Sequence, residues 1–337
     1  MNVDSPRDQE PLLDETTVLP YLARRGVIST DTASARMLGG GVSNVVLAID
    51  DGSQQLVLKQ ARGKLQVAED WYAPRERVLR EAEGLRVLAN IDAAAAPEVI
   101  DVDPDALTLT IVRAPHDWTD WKERLLVGDV DRDVAERLGH SLRHMQIETT
   151  GGRGLSDELI GDTETFDVLR VEPYHRTAAQ RNPEFASDIL AVAERMSATR
   201  ECLVHGDFSP KNFLVGPEGS WVIDFEVAHL GDPTFDPAFL ASHLTMKAIH
   251  APQWQDRYVL AAAAFFDAYD ADSFGIDVTH LSQQIGCLLL ARVDGKSPAE
   301  YLDAAQRRRT HRLGTLLLTH PVDTIDQVWN RLEEALS

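Results

Sequence analysis

Hydrophobic and polar positions along the chain change their spacing about a third of the way from the N-terminus. After an acidic, proline-containing segment at residues 1–14, which we expect to be disordered, the pattern predicts a short amphipathic helix from Thr16 to Gly26. The runs ARMLGGGVSNVVLAID and QQLVLKQA then predict three strands with a glycine turn between the first two. PEVIDVD and LTLTIVRAP predict two more strands. The first third of the chain therefore predicts a small sheet.

Helical spacing dominates the remainder of the chain. Between the third and fourth strands, PRERVLREAEGLRVLANI predicts a helix whose buried side carries Leu79, Leu85 and Leu88. Residues 151–162 are glycine-rich and predict a surface loop. Further helices are predicted at 118–127, 131–148, 252–271, 277–293, 298–318 and 321–336.

The stretch LVHGDFSPKNFLVGPEGSWVIDFE, residues 203–226, gathers two acids and an amide around short strands. A loop runs from Asp207 to Asn212, and a turn of glycine and proline predicts a hairpin that returns the chain to Asp224. Phosphoryl transfer needs a base beside the acceptor and oxygens that hold metal against the triphosphate. Asp207 suits the first role, and Asn212 and Asp224 suit the second. Kinase catalytic loops have the same interval between the base and the metal-binding asparagine.

A glycine-rich turn lies upstream, one hairpin before a strand that carries a lysine. Gly39, Gly40 and Gly41 allow the backbone to approach a nucleotide phosphate closely, and Ser43 and Asn44 add hydrogen-bond donors. Hairpins also use glycine freely, so the position of the turn before the lysine is what favours a nucleotide site.

The motifs HGDFSPKN and VIDFEVAHLGDPTFD, downstream of a glycine-rich loop and a lysine, resemble the aminoglycoside phosphotransferase and choline kinase superfamily of small-molecule kinases. This resemblance implies a bilobal, protein-kinase-like α+β fold. Its N-lobe, an antiparallel sheet plus helix at 15–112, would bind nucleotide, and its mainly helical C-lobe at 113–337 would hold the catalytic loop and the acceptor site. The implied cofactors are ATP and Mg²⁺, and the implied acceptor is a small hydroxylated molecule.

Further residue roles follow from the same resemblance. Lys59 is expected to reach the ATP phosphates, and Glu81 is the helix acid expected to steady it. Asp236 is expected to bond the backbone of the catalytic loop, and His205 to pack within that loop. Glu226 stands where protein kinases carry glycine, and it either lines the site or faces solvent.

Part of the chain is similar to the methylthioribose kinase branch. The likeness lies in KQ followed by Trp71 and Arg75, and in WKERLLVGDVDRDVAERLG and FDVLRVEPYHRTAAQRNPE. Two features differ. Asn212 has no counterpart in that branch, and the branch's paired arginines in a late helix correspond here to Ala291 and Arg292.

The acceptor pocket has no contiguous sequence signature, because pockets in this superfamily are assembled from scattered helices and loops. We expect Arg292, Asp207 and the acids at 226–236 to form its floor. An aminoglycoside, a choline-like amine, a sugar and methylthioribose all stay open as acceptors.

The composition of the chain limits the kinds of partner that it is expected to bind. The formal net charge of −21 argues against nucleic acid and anionic membranes, whose binding needs clustered Lys and Arg. The charge suits a cationic acceptor, or reflects solubility or adaptation to high salt. No apolar run is long enough to span a bilayer and the N-terminus does not look like a signal peptide, so we predict a cytoplasmic protein. Cys202 and Cys287 are expected to be free, buried thiols.

Three other interpretations deserve comparison. His140 and His144 have a zinc-compatible spacing, but without a third ligand we expect them on a partly buried helix face. A protein kinase is disfavoured because only eleven residues separate Asp224 from Asp236, too few for an activation segment. An inactive nucleotide-binding regulatory module would normally lack one of the catalytic residue types, and none is missing here.

Overall fold

A computed structural model of the chain describes residues 11–29, 32–39, 43–64, 66, 72–161, 163–271 and 275–336. The chain divides into two compact units. The first comprises the residues up to His116 together with Ile223–Val227, and the second comprises Asp117–Val222 and Ala228–Ser337. Most of the N-terminal segment predicted to be disordered lies outside the described residues, and its last four residues, 11–14, have no regular secondary structure.

An antiparallel sheet of five strands forms the centre of the first unit. The strands are β1 (Ser34–Met37), β2 (Asn44–Asp50), β3 (Gln55–Ala61), β4 (Val99–Asp103) and β5 (Thr108–Val112), in the spatial order β1-β2-β3-β5-β4. Two helices accompany the sheet, α1 (Val18–Arg24) and α2 (Arg77–Ile91). All five predicted strands and both predicted helices are therefore present.

The two faces of β3 have different partners. Leu56 and Leu58 are fully buried in a core with Val18 and Leu22 of α1. Lys59 lies on the other face, which confirms the predicted alternation, because in a strand successive side chains point to opposite sides.

Helix α2 packs closely against the segment Ile223–Val227. A Cβ atom at Gly84 would lie 2.6 Å from Cβ of Phe225, so only glycine allows this approach. Leu85 and Leu88 are buried as predicted, whereas Leu79 is only partly buried. The buried side of α2 includes charged residues such as Glu81, and this shifts the apolar stripe away from Leu79.

The second unit is mainly helical. Its helices are α3 (Trp121–Leu126), α4 (Arg132–Glu148), α5 (Asp157–Gly161), α6 (Glu164–Phe166), α7 (Thr177–Arg181), α8 (Ala186–Ala198), α9 (Phe235–His250), α10 (Gln255–Tyr269), α11 (Val278–Asp294), α12 (Ala304–Thr319) and α13 (Ile325–Leu336). A π-helical segment, Asp167–Arg176, joins α6 to α7. Short 3₁₀ turns occur at Thr150–Gly152, Pro183–Phe185, Pro210–Asn212 and Pro252–Trp254.

Five short strands complete the second unit. They are β6 (Thr119–Asp120), β7 (Cys202–Val204), β8 (Phe213–Gly216), β9 (Gly219–Val222) and β10 (His229–Gly231). β8 and β9 form the predicted hairpin, and β7 pairs antiparallel with β10. The strands on either side of the loop at 205–212, β7 and β8, are therefore each paired with another strand.

Helices α11 and α12 approach each other closely at small residues. A Cβ atom at Gly286 would lie 2.7 Å from the carbonyl oxygen of Gly314, so the contact requires glycine. Helix α12 begins at Ala304, later than predicted, because Asp303 and Gln306 form a capping box there.

Several sequence expectations need correction or are confirmed here. The predicted loop at 151–162 contains helix α5. His140 and His144 are exposed instead of partly buried, and no group of three or more metal-binding side chains occurs among the described residues. Cys202 and Cys287 are buried and free, as expected.

None of the helices in the described part of the chain has the length and apolar content needed to span a bilayer.

Candidate active site

The loop after β7 is held in place by a buried carboxylate. Oδ2 of Asp236 accepts the backbone N–H of His205 at 2.7 Å, and Oδ1 accepts that of Gly206 at 3.0 Å. Asp236 is fully buried, and burial raises its pKa to about 7 although both amide donors act in the opposite direction. The predicted supporting role of Asp236 is confirmed by these two bonds.

Asp207 lies at the centre of this loop with only 4% of its surface exposed. Its Oδ2 is 3.0 Å from Nη2 of Arg170 and 2.9 Å from Nζ of Lys211. Its backbone N–H donates to Nδ1 of His205, which is buried and packs within the loop as predicted. Two cations therefore orient the carboxylate of Asp207.

Arg170 was not identified from the sequence. It lies in the π-helical segment, and its Nε donates to the carbonyl of Gly206 at 2.6 Å. Its guanidinium carbon is also 5.7 Å from the ring centroid of Tyr174. One side chain thus contacts both the backbone and the carboxylate of the loop, across a sequence separation that no local motif reveals.

Asn212 ends the same loop and is buried. Its Nδ2 donates to the backbone carbonyl of Asp207 at 2.9 Å. This bond commits the amide nitrogen to the loop, so the side-chain oxygen is the atom suited to a hard metal ion.

A cluster of charged side chains, two of them buried, lies in the first unit. Nζ of Lys59 is 2.5 Å from Oε1 of Glu81 and 3.0 Å from Oδ1 of Asp224. Burial alone lowers the pKa of Lys59, but the charges of Asp224 and Glu81 outweigh it and raise that pKa well above its usual value. Burial also raises the pKa of Glu81, against the effect of Lys59. Asp224 has a left-handed φ of 74°, a strained conformation for a residue other than glycine.

Arg77, which sequence reasoning also missed, links the end of the glycine turn to Glu226. Its Nε lies 3.1 Å from Oε2 of Glu226, and its Nη2 donates to the backbone carbonyl of Ser43 at 2.5 Å. Asn44 Nδ2 donates to the same Glu226 oxygen at 3.4 Å. Glu226 is buried, so the solvent-facing alternative for this residue is wrong.

The glycine turn itself is described only in part. Gly39 is exposed, and among the described residues other than its chain neighbours no atom lies within 4 Å of the place where a Cβ would stand. Gly40 and Gly41 lie outside the described residues, as does Trp71 of the segment before α2.

A cavity of about 440 Å³ opens beside Asp207 in the second unit. Arg292 and Asp207 line it, as predicted. The acids Asp232 and Asp236 do not, because Asp236 bonds the loop after β7 and Asp232 contacts Nε2 of His280 at 2.8 Å. The expected acidic floor is therefore wrong at these two positions.

Comparisons with known proteins show the family to which the chain belongs. The sequence matches the profile of the phosphotransferase enzyme family over residues 34–280. Methylthioribose kinase of Bacillus cereus (strain AH820) is 24% identical over 271 residues, which cover 72% of this chain and 68% of that protein. Methylthioribose kinase of Bacillus mycoides (strain KBAB4) is 22% identical over 268 residues, with 70% and 67% covered.

Two solved structures have the same fold. Amicoumacin kinase in complex with AMP-PNP, Ca²⁺ and Ami gives a TM-score of 0.53 at 15% identity, with 93% of this chain and 96% of that one covered. Spectinomycin phosphotransferase in complex with ADP and spectinomycin gives 0.52 at 13% identity, with 96% and 95% covered. The predicted α+β, protein-kinase-like fold is confirmed.

Proposed function

Because the chain belongs to the phosphotransferase enzyme family, we propose that it transfers the γ-phosphate of ATP to a hydroxyl group of a small molecule. The observation that carries this proposal is the buried Lys59 between Glu81 and Asp224. Lys59 and Glu81 are buried and Asp224 is partly buried. Burying charged groups is costly, and hydrophobic residues in their place would serve stability as well or better. A functional demand for charge at this place explains why they are retained.

In this proposal, Lys59 neutralises the phosphates of ATP and Glu81 fixes the lysine side chain. The backbone around Gly39, with the side chains of Ser43 and Asn44, covers the phosphates, and Arg77 supports this turn through the Ser43 carbonyl. Gly40 and Gly41 are assigned to the same turn by the sequence alone.

Asp224 and Asn212 are the proposed oxygen ligands for the Mg²⁺ that accompanies ATP. Carboxylate and amide oxygens suit this hard cation, and the amide nitrogen of Asn212 is already committed to the Asp207 carbonyl. When bound, the metal offsets negative charge on the phosphates.

Asp207 is the proposed base. The acceptor hydroxyl oxygen forms a bond to the γ-phosphorus, the bond from that phosphorus to the β–γ bridging oxygen breaks, and the hydroxyl proton passes to the Asp207 carboxylate. Arg170 and Lys211 hold that carboxylate in position. His205 supports the loop and is not assigned a proton-transfer role, because its Nδ1 accepts the Asp207 backbone N–H.

An assay of ADP formation with magnesium-ATP and a panel of hydroxylated acceptors tests the proposal, with ³¹P NMR to identify the product. We expect ADP and a phosphate monoester in equal amounts, and loss of both in Asp207→Asn. If magnesium-ATP binds but neither an acceptor nor water is phosphorylated, the protein is a nucleotide-binding module and the proposal is wrong.

A further inference from the structure

The cavity beside Asp207 is rich in positive charge. Its lining includes four cationic side chains and two carboxylates, namely Lys122, Lys211, Lys247, Arg292, Asp207 and Glu300. Only six lysines occur in the whole chain, and three of them line this cavity. Because the protein as a whole has a formal net charge of −21, the composition does not account for this local excess.

The two carboxylates of the lining do not neutralise the positive charge of the cavity. Asp207 already contacts two cations, Arg170 and Lys211. Glu300 is exposed at the rim, where solvent screens its charge. Lys247 and Arg292 thus have no carboxylate partner among the described residues.

Lys247 is the most unusual of these residues. It is only 1% exposed, and its Nζ has no hydrogen-bond partner among the described residues. Its Nζ lies over the ring of Tyr301, 5.6 Å from the centroid. A buried, unpaired ammonium is costly, and proteins keep such groups where a ligand or a reaction needs them.

Other polar atoms of the wall are also unsatisfied. The buried atoms Arg292 Nε, Tyr301 Oη and Ser209 Oγ have no hydrogen-bond partner within the described part of the chain. Nη1 of Arg292 donates to Oγ of Ser297 at 3.0 Å, which fixes the guanidinium in place. Hydrogen-bond donors concentrated in one wall suit a negatively charged ligand group that accepts hydrogen bonds.

We propose that the substrate phosphorylated by this enzyme carries an anionic group, a carboxylate or a phosphate, that binds in the wall formed by Lys247 and Arg292. The inference rests on the proposed function, because it places the reacting hydroxyl at Asp207 in the same cavity. A cavity of about 440 Å³ accommodates a small hydroxylated anion. A cationic acceptor, which the net charge of the chain suggested, would be repelled here.

A matched acceptor series tests this inference. Glucose, glucosamine, gluconate and glucose 6-phosphate share one carbon skeleton and differ in charge, and glycerol, glycerate and glycerol 3-phosphate form a second series. We expect kcat/KM to be at least about tenfold higher for an anionic member than for the neutral one. Preference for gluconate and glycerate would identify a carboxylate, and preference for the phosphate esters a phosphate. Preference for the neutral or amine member would overturn the inference and leave the kinase assignment intact.

Two variants test whether the preference for an anionic acceptor comes from this wall of the cavity. Lys247→Met and Arg292→Met should each lower kcat/KM for the anionic acceptor by about tenfold or more, the value of a charged hydrogen bond, with little change in the KM for ATP. Lys64→Met removes an exposed lysine of the first unit and serves as the matched control. Equal discrimination by charge in Lys247→Met and in the unmodified protein would contradict the assignment.

A binding measurement separates this inference from the proposed function. If no acceptor is phosphorylated, inorganic phosphate is titrated into the nucleotide-free protein at constant ionic strength while thermal unfolding is followed. Stabilisation that disappears in Lys247→Met but persists in Lys64→Met supports the anion site even though transfer has failed. Absence of any stabilisation that depends on Lys247 overturns the inference.

Discussion

Replacing Lys247 by methionine should make the protein more stable at neutral pH, although it removes a residue of the candidate acceptor site. Burial lowers the pKa of Lys247 from its usual 10.5 to about 7, and the charges of Lys122 and Arg292 add to this effect while Asp120 opposes it. His243, which lines the same cavity, has its own pKa lowered well below its usual value by burial, so it adds no charge near neutrality.

The size and the pH dependence of the gain follow from proton linkage. Below about pH 7 the lysine is charged in both states, and the folded state bears the full penalty of about 5 kcal/mol, an upper value at about 1.4 kcal/mol for each pKa unit. As the pH rises from about 7 to 10.5, the folded state loses this proton while the unfolded state keeps it, so the stability of the natural protein increases. The advantage of Lys247→Met should therefore shrink to about half near pH 8.5 and vanish near pH 10.5.

Urea unfolding followed by circular dichroism at about pH 6, 8.5 and 10 measures this advantage, with the exposed Lys64→Met as the control. The control should change the free energy of unfolding by less than about 0.5 kcal/mol at every pH. A Lys247→Met protein that is less stable than its parent, or whose advantage does not depend on pH, would refute the assignment of an unpaired buried ammonium.

Three further predictions concern other buried groups. Arg77→Met should lower the free energy of unfolding by about 3 kcal/mol in urea titrations, because it leaves Glu226 buried without its ion pair; a change below about 1 kcal/mol would contradict that role. Lys59→Met should raise the KM for ATP by at least about tenfold in steady-state kinetics, and an unchanged KM would exclude Lys59 from nucleotide binding. Cys202 and Cys287 should not react with a thiol reagent in the native protein at about pH 8 and should both react in denaturant, because burial raises both pKa values; rapid native labelling would show that the thiols are accessible.

The parts of the site that the sequence predicted are those with local determinants. Asn212 bonds the Asp207 carbonyl within one short loop, so the motif HGDFSPKN already contains both partners. The position of Lys59 on its face of β3 follows from strand alternation. Asp236 was found through the resemblance, since its bonds to the loop span a long sequence separation.

The parts that the sequence did not predict depend on how distant helices pack. Arg170 reaches Asp207 from a π-helical segment, and Lys247 enters the cavity wall from α9, so neither has a neighbour in sequence that reveals its role. Net charge suggested a cationic acceptor, but a global sum carries no information on where the few lysines gather. The sequence predicts a partly buried helix face for His140 and His144, whereas the apolar stripe of α4 runs through other positions and leaves both exposed.

The central claim, that Asp207 is the base of a phosphoryl transfer, is tested most directly by Asp207→Asn. With magnesium-ATP and an accepted substrate, turnover should fall by at least roughly a hundredfold, the lower range of general-base contributions. The dissociation constant for magnesium-ATP, measured by calorimetry, should change by less than about threefold, because the loss lies in the transition state. Turnover equal to that of the natural protein, in a variant that folds and binds ATP, would contradict the claim.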